Sequence, residues 1–202
     1  VMNGFGVMVE QLFSQFDPDL RITAKAGKTF IINDKQKDAL LGLPCVDMLS
    51  ESIQETALVY FEDKQMPVQL LGVDSVFGQL TGIENIITDG HYEVFDGAFD
   101  RAVLGQGLAW KLGIGVHFIH AIEVYAPKRE GKVNMLRPDV NFNSERCFIA
   151  GTFAVNQQKY DENLMLVDID LARRLLDYET TEVTALQVGV AEGYSIRRAK
   201  RD

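Results

Sequence analysis

Three sets of residues in this 202-residue chain have the types and spacings that chemistry uses. Gly105-Gln106-Gly107 stands before a helical pattern, the setting in which backbone N–H groups cradle a phosphate. Its spacing matches neither the dinucleotide fingerprint nor the Walker A loop, and no Lys-Ser or Lys-Thr follows. A tight strand-to-helix turn is the expected role. His117 and His120 are three apart with Glu123 three further on, which on a helix is metal-ligand spacing. The segment reads as turn and strand, where such positions face opposite sides, so no metal site is expected. Asp17, Asp19, Asp96, Asp100, Asp161 and Glu162 could supply acid–base carboxylates, but each sits in a polar turn context typical of solvated groups. No Gly-x-Ser-x-Gly elbow or oriented Cys-His pair is present. Trp110 and the phenylalanines are assigned to the core. The expectation is a non-catalytic chain without cofactor or metal.

A different stretch draws attention by its shape. Two strand-like segments, Ile119–Tyr125 and Cys147–Phe153, flank a long insert, Pro127–Glu145. Hairpin loops usually take about two to five residues. This insert lacks the Gly/Ser composition of a slack linker. It carries Met135, Leu136, Pro138, Val140 and Phe142 among Lys128, Arg129, Lys132 and Arg137. Such an arm either reaches for a partner or folds back on its own domain, and composition leaves both open. Proline removes a backbone donor, so the tip near Pro138 is expected to leave the ladder.

The elements that must carry this arm follow from periodicity. Val1–Phe16 reads as a helix with an apolar stripe of Phe5, Val9, Leu12 and Phe16, stopped by Asp17-Pro18. Leu20–Ala24 is a strand, and Lys35–Leu41 a helix capped by Asp34. Val46–Val73 is a hairpin turning at Glu62-Asp63-Lys64-Gln65. Val76–Leu80 is a helical turn and Thr81–Gly90 a loop. Ala102–Leu104 leads through the glycines to a helix closed by Gly113. After the arm come the strand Leu164–Val167, a helix Ile169–Leu176 capped by Asp168, the strand Thr184–Val190 and a final helix, Gly193–Arg201. The last strand, TALQVGV, and the early hairpin are equally apolar and are expected to pair. Strands outnumber helices, so the fold class is α+β with a mixed sheet.

Composition sets outer bounds. With 47% hydrophobic and 24% charged residues, the chain can build one sizeable domain or two lobes. A net charge of −9 argues against nucleic acid or anionic lipid as a general partner. Cys45 and Cys147 lack CxxC spacing; free thiols and a single long-range disulfide both remain open. No apolar run reaches the roughly 18 residues of a membrane span, and no secretory signal is visible. The chain starts at VMNGFGVMV without an initiator Met, and is expected to be a piece of a longer protein.

Four segments, in order, carry a resemblance: VMNGF, VLGQGLAWKLGI, ERCFIAGTFAV and LMLVDIDLARRLL. Together they resemble the permeases of lipoprotein-releasing ABC transporters, the LolC/LolE type, within the wider group that has a MacB-like periplasmic core domain. The resemblance implies a two-lobed α+β domain on the periplasmic side of the bacterial inner membrane. Residues 1–73 and 184–202 would form a mixed-sheet porter lobe, its C-terminal part incomplete. Residues 74–183 would form an inserted β-rich sabre lobe with a hook-like arm at 127–145. The hook would capture a periplasmic lipoprotein carrier through Met135, Leu136, Arg137, Pro138, Phe142 and Arg146. Arg146 matches a basic position there; Glu145 replaces a neutral polar residue, and Glu123 stands where carrier-binding members have a basic one. Further implied partners are the lipoprotein substrate, a second permease chain and a cytoplasmic ATPase subunit, which would hydrolyse the ATP. The alternative is a MacB- or FtsX-like permease pulling on an adaptor or efflux partner. A soluble enzyme is the third reading, and no constellation supports it.

Overall fold

The computed structural model describes residues 20–117, 119–129, 138–191 and 193–194, with backbone alone at 8–10 and 138–139. In chain order these form β1 (Met8–Glu10), β2 (Leu20–Thr23), β3 (Phe30–Ile31), α1 (Asp34–Leu41), β4 (Val46–Phe61) and β5 (Lys64–Val73). Then come α2 (Phe77–Thr81), a 3-10 turn (Ile83–Ile86), β6 (Ile87–Gly90), β7 (Arg101–Gly105), α3 (Gln106–Leu112) and β8 (Ile122–Pro127). A second 3-10 turn (Pro138–Asn141) precedes β9 (Phe142–Phe153), α4 (Gln158–Asp161), β10 (Leu164–Asp168), α5 (Ile169–Leu176), β11 (Glu182–Val183) and β12 (Ala185–Val190). The chain divides into two compact units. One comprises Val1–Ile53, Val73–Gly82 and Thr181–Asp202; the other comprises Gln54–Gly72 and Ile83–Thr180.

In the first unit β12 is the central strand, antiparallel to β2 (Ala185↔Thr23) and to the first half of β4 (Ala185↔Ser52). Ala185 to Gly189 are buried in succession, the mark of a strand covered on both faces. The expected pairing of TALQVGV with the early hairpin is thus present. Polar side chains inside this sheet bond one another: Gln187 donates Nε2–H to Ser52 Oγ at 3.2 Å, and Ser50 donates to Asp74 Oδ1 at 2.6 Å, while Gln187 Oε1 is buried without a hydrogen-bond partner among the described residues. Asp74 also accepts the N–H groups of Val76 and Phe77, each at 3.1 Å, which starts α2. A small β3–β11 pair (Ile31↔Glu182) completes the unit.

Two expectations need correction here. Met8–Glu10 is not helical; it pairs antiparallel with β2 (Met8↔Thr23), whose edge away from β12 has unpaired backbone groups to offer. The remainder of Val1–Phe16, with Phe5, Leu12 and Phe16, lies outside the described residues, as do 195–201 of the expected final helix. Asn33, not Asp34, caps α1: Asn33 Oδ1 accepts from Gln36 N–H while Gln36 Oε1 accepts from Asn33 N–H, both at 3.0 Å. This reciprocal capping box uses the residue just outside the helix, and Asp34 is already inside it.

The second unit is built on a ring of strands. The rest of β4 pairs with β5, β5 with β10, β10 with β7, β7 with β9, β9 with β8, and β8 with β4 again. All described pairings in the first unit are antiparallel; the β7–β9 pair of this unit is parallel (Arg101↔Phe148, Gly105↔Phe153). The mixed character therefore lies in the second unit. Val59, Leu70, Val103, Leu104, Ile122, Val124, Phe153, Met165 and Leu166 are all fully or almost fully buried. The hairpin is tighter than expected, turning on Glu62 and Asp63, with Glu62 at φ 54°. Gln54–Gly72 pairs into the ring and so goes with the second unit, whereas α2 goes with the first. That division differs from the expected boundaries at 73/74, because the ring needs the distal half of both hairpin strands. Cys45 and Cys147 are both free and buried, one in each unit; burial pushes the Cys147 thiol up to about 12.

Candidate functional site

The chemistry candidates resolve into structural roles. Gly105 is the N-cap of α3, a strand-to-helix turn as expected, and Gly113 closes that helix at φ 75°. Asp161 accepts the N–H groups of Val155 (2.8 Å) and Gln157 (3.0 Å), Glu162 pairs with Lys111 (2.6 Å), and Asp100 with Arg174 (2.7 Å). Asp17 and Asp19 lie outside the described residues. His117 and His120 are exposed, and among the described residues no group of three or more ligand types is placed to hold a metal. Trp110 departs from expectation. It is 76% exposed, because Leu108, Ala109 and Leu112 take the inner face of α3 and leave position 110 pointing outward.

The arm is shorter at its root than its sequence implied. β8 and β9 pair from Ile122↔Cys147 to Pro127↔Phe142, so Pro127 and Phe142–Glu145 belong to strands rather than to the insert. Lys128 donates its N–H to Asn141 O at 2.9 Å, one step past the ladder. Pro138–Asn141 form a 3-10 turn off the ladder. Met135, Leu136 and Arg137 lie outside the described residues.

Alternation along β9 sorts its residues into two sets. Phe142, Ser144, Arg146 and Phe148 share one face; Asn143, Glu145 and the buried Cys147 share the other. The first face makes a row whose neighbours are aromatic. Phe99 meets Phe148 edge-on at 5.7 Å between centroids, and Tyr125 of β8 meets Tyr60 of β4 at 5.0 Å. Phe142 is 42% exposed and Phe99 56%. Between them Arg146, the one sequence-predicted cation described, pairs with Glu123 directly opposite it; Nε stands 2.8 Å from the carboxylate. Tyr125 also donates to Glu123, at 2.7 Å, and these two bonds, Tyr125 first, hold the Glu123 carboxyl below its usual range. Sequence reasoning missed Phe99, Phe148, Tyr60 and Tyr125. Only the alternation in FNSERCF hinted at an outward row; the other strands are brought in by long-range pairing.

Phe99 is held in place by its own loop. Asp96 accepts the N–H groups of Phe99 (2.7 Å) and Ala98 (2.9 Å), and Arg101 Nε–H at 2.8 Å. These bonds, the backbone ones foremost, pull its pKa from 3.8 to about 2. A depressed carboxyl contributes stability that is present above the ordinary value and lost as pH falls through the folded one. Acidification from 3.8 through about 2 should therefore release the loop before the ring. Amide exchange at Ala98 and Phe99 is the measurement. Asp96→Asn should show fast exchange at neutral pH and no acid step; an acid step persisting in that variant would contradict the assignment.

No protein-family profile and no curated protein sequence matches the chain. Solved structures do. The extracellular domain of the ABC-type transporter YknZ from Gram-positive bacteria superposes with a TM-score of 0.58 at 12% identity, over 86% of this chain and 80% of that one. The periplasmic region of MacB from Actinobacillus actinomycetemcomitans gives 0.55 at 8% identity, over 81% and 67%. No described helix is long and apolar enough to cross a membrane. At these identities the likeness is one of fold: this chain shares the sheet-dominated α/β fold of those two domains.

Proposed function

We propose that this chain is the non-catalytic extracytoplasmic domain of an inner-membrane ABC transporter permease that extracts lipoproteins and passes them to a periplasmic carrier. The observation that carries the reading is the β8–β9 hairpin, whose paired strands carry an exposed aromatic row and whose connecting sequence is apolar and basic. Met135, Leu136 and Phe142 are the apolar anchors, Arg137 and Arg146 the steering charges, and Pro138 opens the 3-10 turn that leads back to the ladder at Phe142. ATP hydrolysis belongs to a cytoplasmic subunit, and a second permease chain completes the transporter. The fold likeness to transporter domains supports the setting.

A specific observation favours a second reading, a MacB- or FtsX-like permease that moves an adaptor or efflux partner. Glu123 neutralises Arg146, which in carrier-binding members would face the partner unopposed. Surface-immobilised lipoprotein carrier, with the wild-type domain flowed over it, separates the two. Arg146→Glu puts two carboxylates opposite one another on β8 and β9, which repel. Under the carrier reading this variant should associate about three- to tenfold more slowly at low salt, with the difference fading at high salt. Equal association rates at all salt concentrations would remove Arg146 from the docking surface, and no capture by wild type would favour the adaptor.

A further inference from the structure

We infer that α5 is the seat that holds both legs of the β8–β9 hairpin in place, and that its placement beside the unit boundaries lets a change of chain path there reach those legs. This rests on the reading of the arm as a docking element. Both legs are tied to the C-terminal half of α5 and its following turn. On the near leg, Arg129 donates its N–H to Asp177 Oδ2 (3.4 Å), and its guanidinium lies 5.0 Å from the Tyr178 ring. On the far leg, Asn143 Nδ2 donates to Leu175 O (3.1 Å), and Glu145 pairs with Arg174 (3.3 Å), which also holds Asp100 (2.7 Å). These are the residues of β9 that face away from the aromatic row. The strand thus presents one face outward and keeps the other on α5.

The same helix lies against chain segments that adjoin the unit boundaries. A Cβ on Gly72, the last residue of its segment in the second unit, would stand 2.5 Å from Ala172 Cβ and 3.3 Å from Ile169 Cα. Tyr178 donates to Glu55 at 3.2 Å, two residues after the chain leaves Ile53. The turn after α5 runs directly to Thr180, where the chain leaves this unit again. Three of the four places where the chain passes between units therefore adjoin α5 or its turn. A packed helix transmits displacement as a rigid piece, so a change of path at any of them reaches both legs.

Hydrogen exchange on the 202-residue chain tests this without any partner, so its outcome is independent of whether the arm docks a carrier. Arg174→Ala removes one tie, and Gly72→Ala displaces α5 without touching the arm. Both should accelerate exchange at Lys128 and at the far leg, Phe142 to Arg146, by about fivefold or more, with β12 unchanged. Lys111→Ala, which breaks a comparable pair with Glu162 elsewhere on the unit, should leave the legs as they were. Leg exchange unchanged in Arg174→Ala would overturn the proposal, as would equal acceleration in Lys111→Ala. If Gly72→Ala does not fold, Arg174→Ala decides alone.

Discussion

Gly105→Ala is expected to lower the melting temperature by about 6–12 °C, from a cost of about 3 kcal/mol at about 2–4 °C per kcal/mol. The reason is space, since Gly105 has an ordinary φ of −56°. A Cβ there would lie 2.4 Å from Asp161 O and 2.6 Å from Tyr160 O, both backbone atoms of α4. That backbone cannot withdraw freely: the Asp161 carboxylate is fixed by the N–H groups of Val155 and Gln157. Overpacking against immobile backbone sits at the upper end of such costs. Gly107→Ala should cost less, because part of its contact is the flexible Glu162 side chain, at 2.9 Å to Cγ. Thermal unfolding of the two variants checks the ordering. A shift of under about 2 °C for Gly105→Ala would show that close helix packing is not why glycine stands there.

The glycine pair shows what was legible. Gly-Gln-Gly before Leu-Ala-Trp-Lys-Leu announces a strand-to-helix turn by local chemistry, and local chemistry also marked Asp168 as the cap of α5, where it accepts Asp170 N–H at 2.8 Å. The apolar likeness of TALQVGV and the early hairpin located a pairing 133 residues apart, Ser52 with Ala185, because a doubly buried strand must find apolar neighbours. What escaped was non-local. Nothing in Gln54–Gly72 says that half of a hairpin closes a ring with β8 and β10. Short elements such as β11, two residues long, carry no period. Trp110 was misplaced because residue type favours burial while its helical position faces out. Phe142 and Arg146 could be named from the sequence of one strand, but their aromatic neighbours depend on register across three strands, which no local pattern encodes.

Replacing residues 130–137 by a short turn should raise the dissociation rate from the carrier about 30-fold or more while leaving the fold intact. Apolar anchors that enter a partner's pocket typically cost 2 kcal/mol or more when removed, roughly a factor of 30, and such losses fall on the off-rate. The boundary matters. A deletion running through Phe142 would remove the Pro127↔Phe142 pair and loosen the ladder, confusing docking with folding. Stopping at Arg137 keeps the Pro138–Asn141 turn and the Lys128–Asn141 hydrogen bond. Circular dichroism and melting should match wild type. A shortened domain that folds and holds the carrier as tightly would mean the arm is not the docking element.

The most direct test of the account is site-specific photo-crosslinking in cells, in the full-length protein. The probe is placed at Phe142, at the root of the arm, and separately at Trp110. The parallel register of β7 and β9 puts these at opposite ends of the ring: β9 starts at Phe142, while α3 follows the far end of β7, where Gly105 lies beside Phe153. Both side chains are exposed, Trp110 more so, so accessibility alone favours Trp110. The account predicts a cross-link to the periplasmic lipoprotein carrier from Phe142 and none from Trp110. A carrier cross-link from Trp110 with none from Phe142 would contradict it.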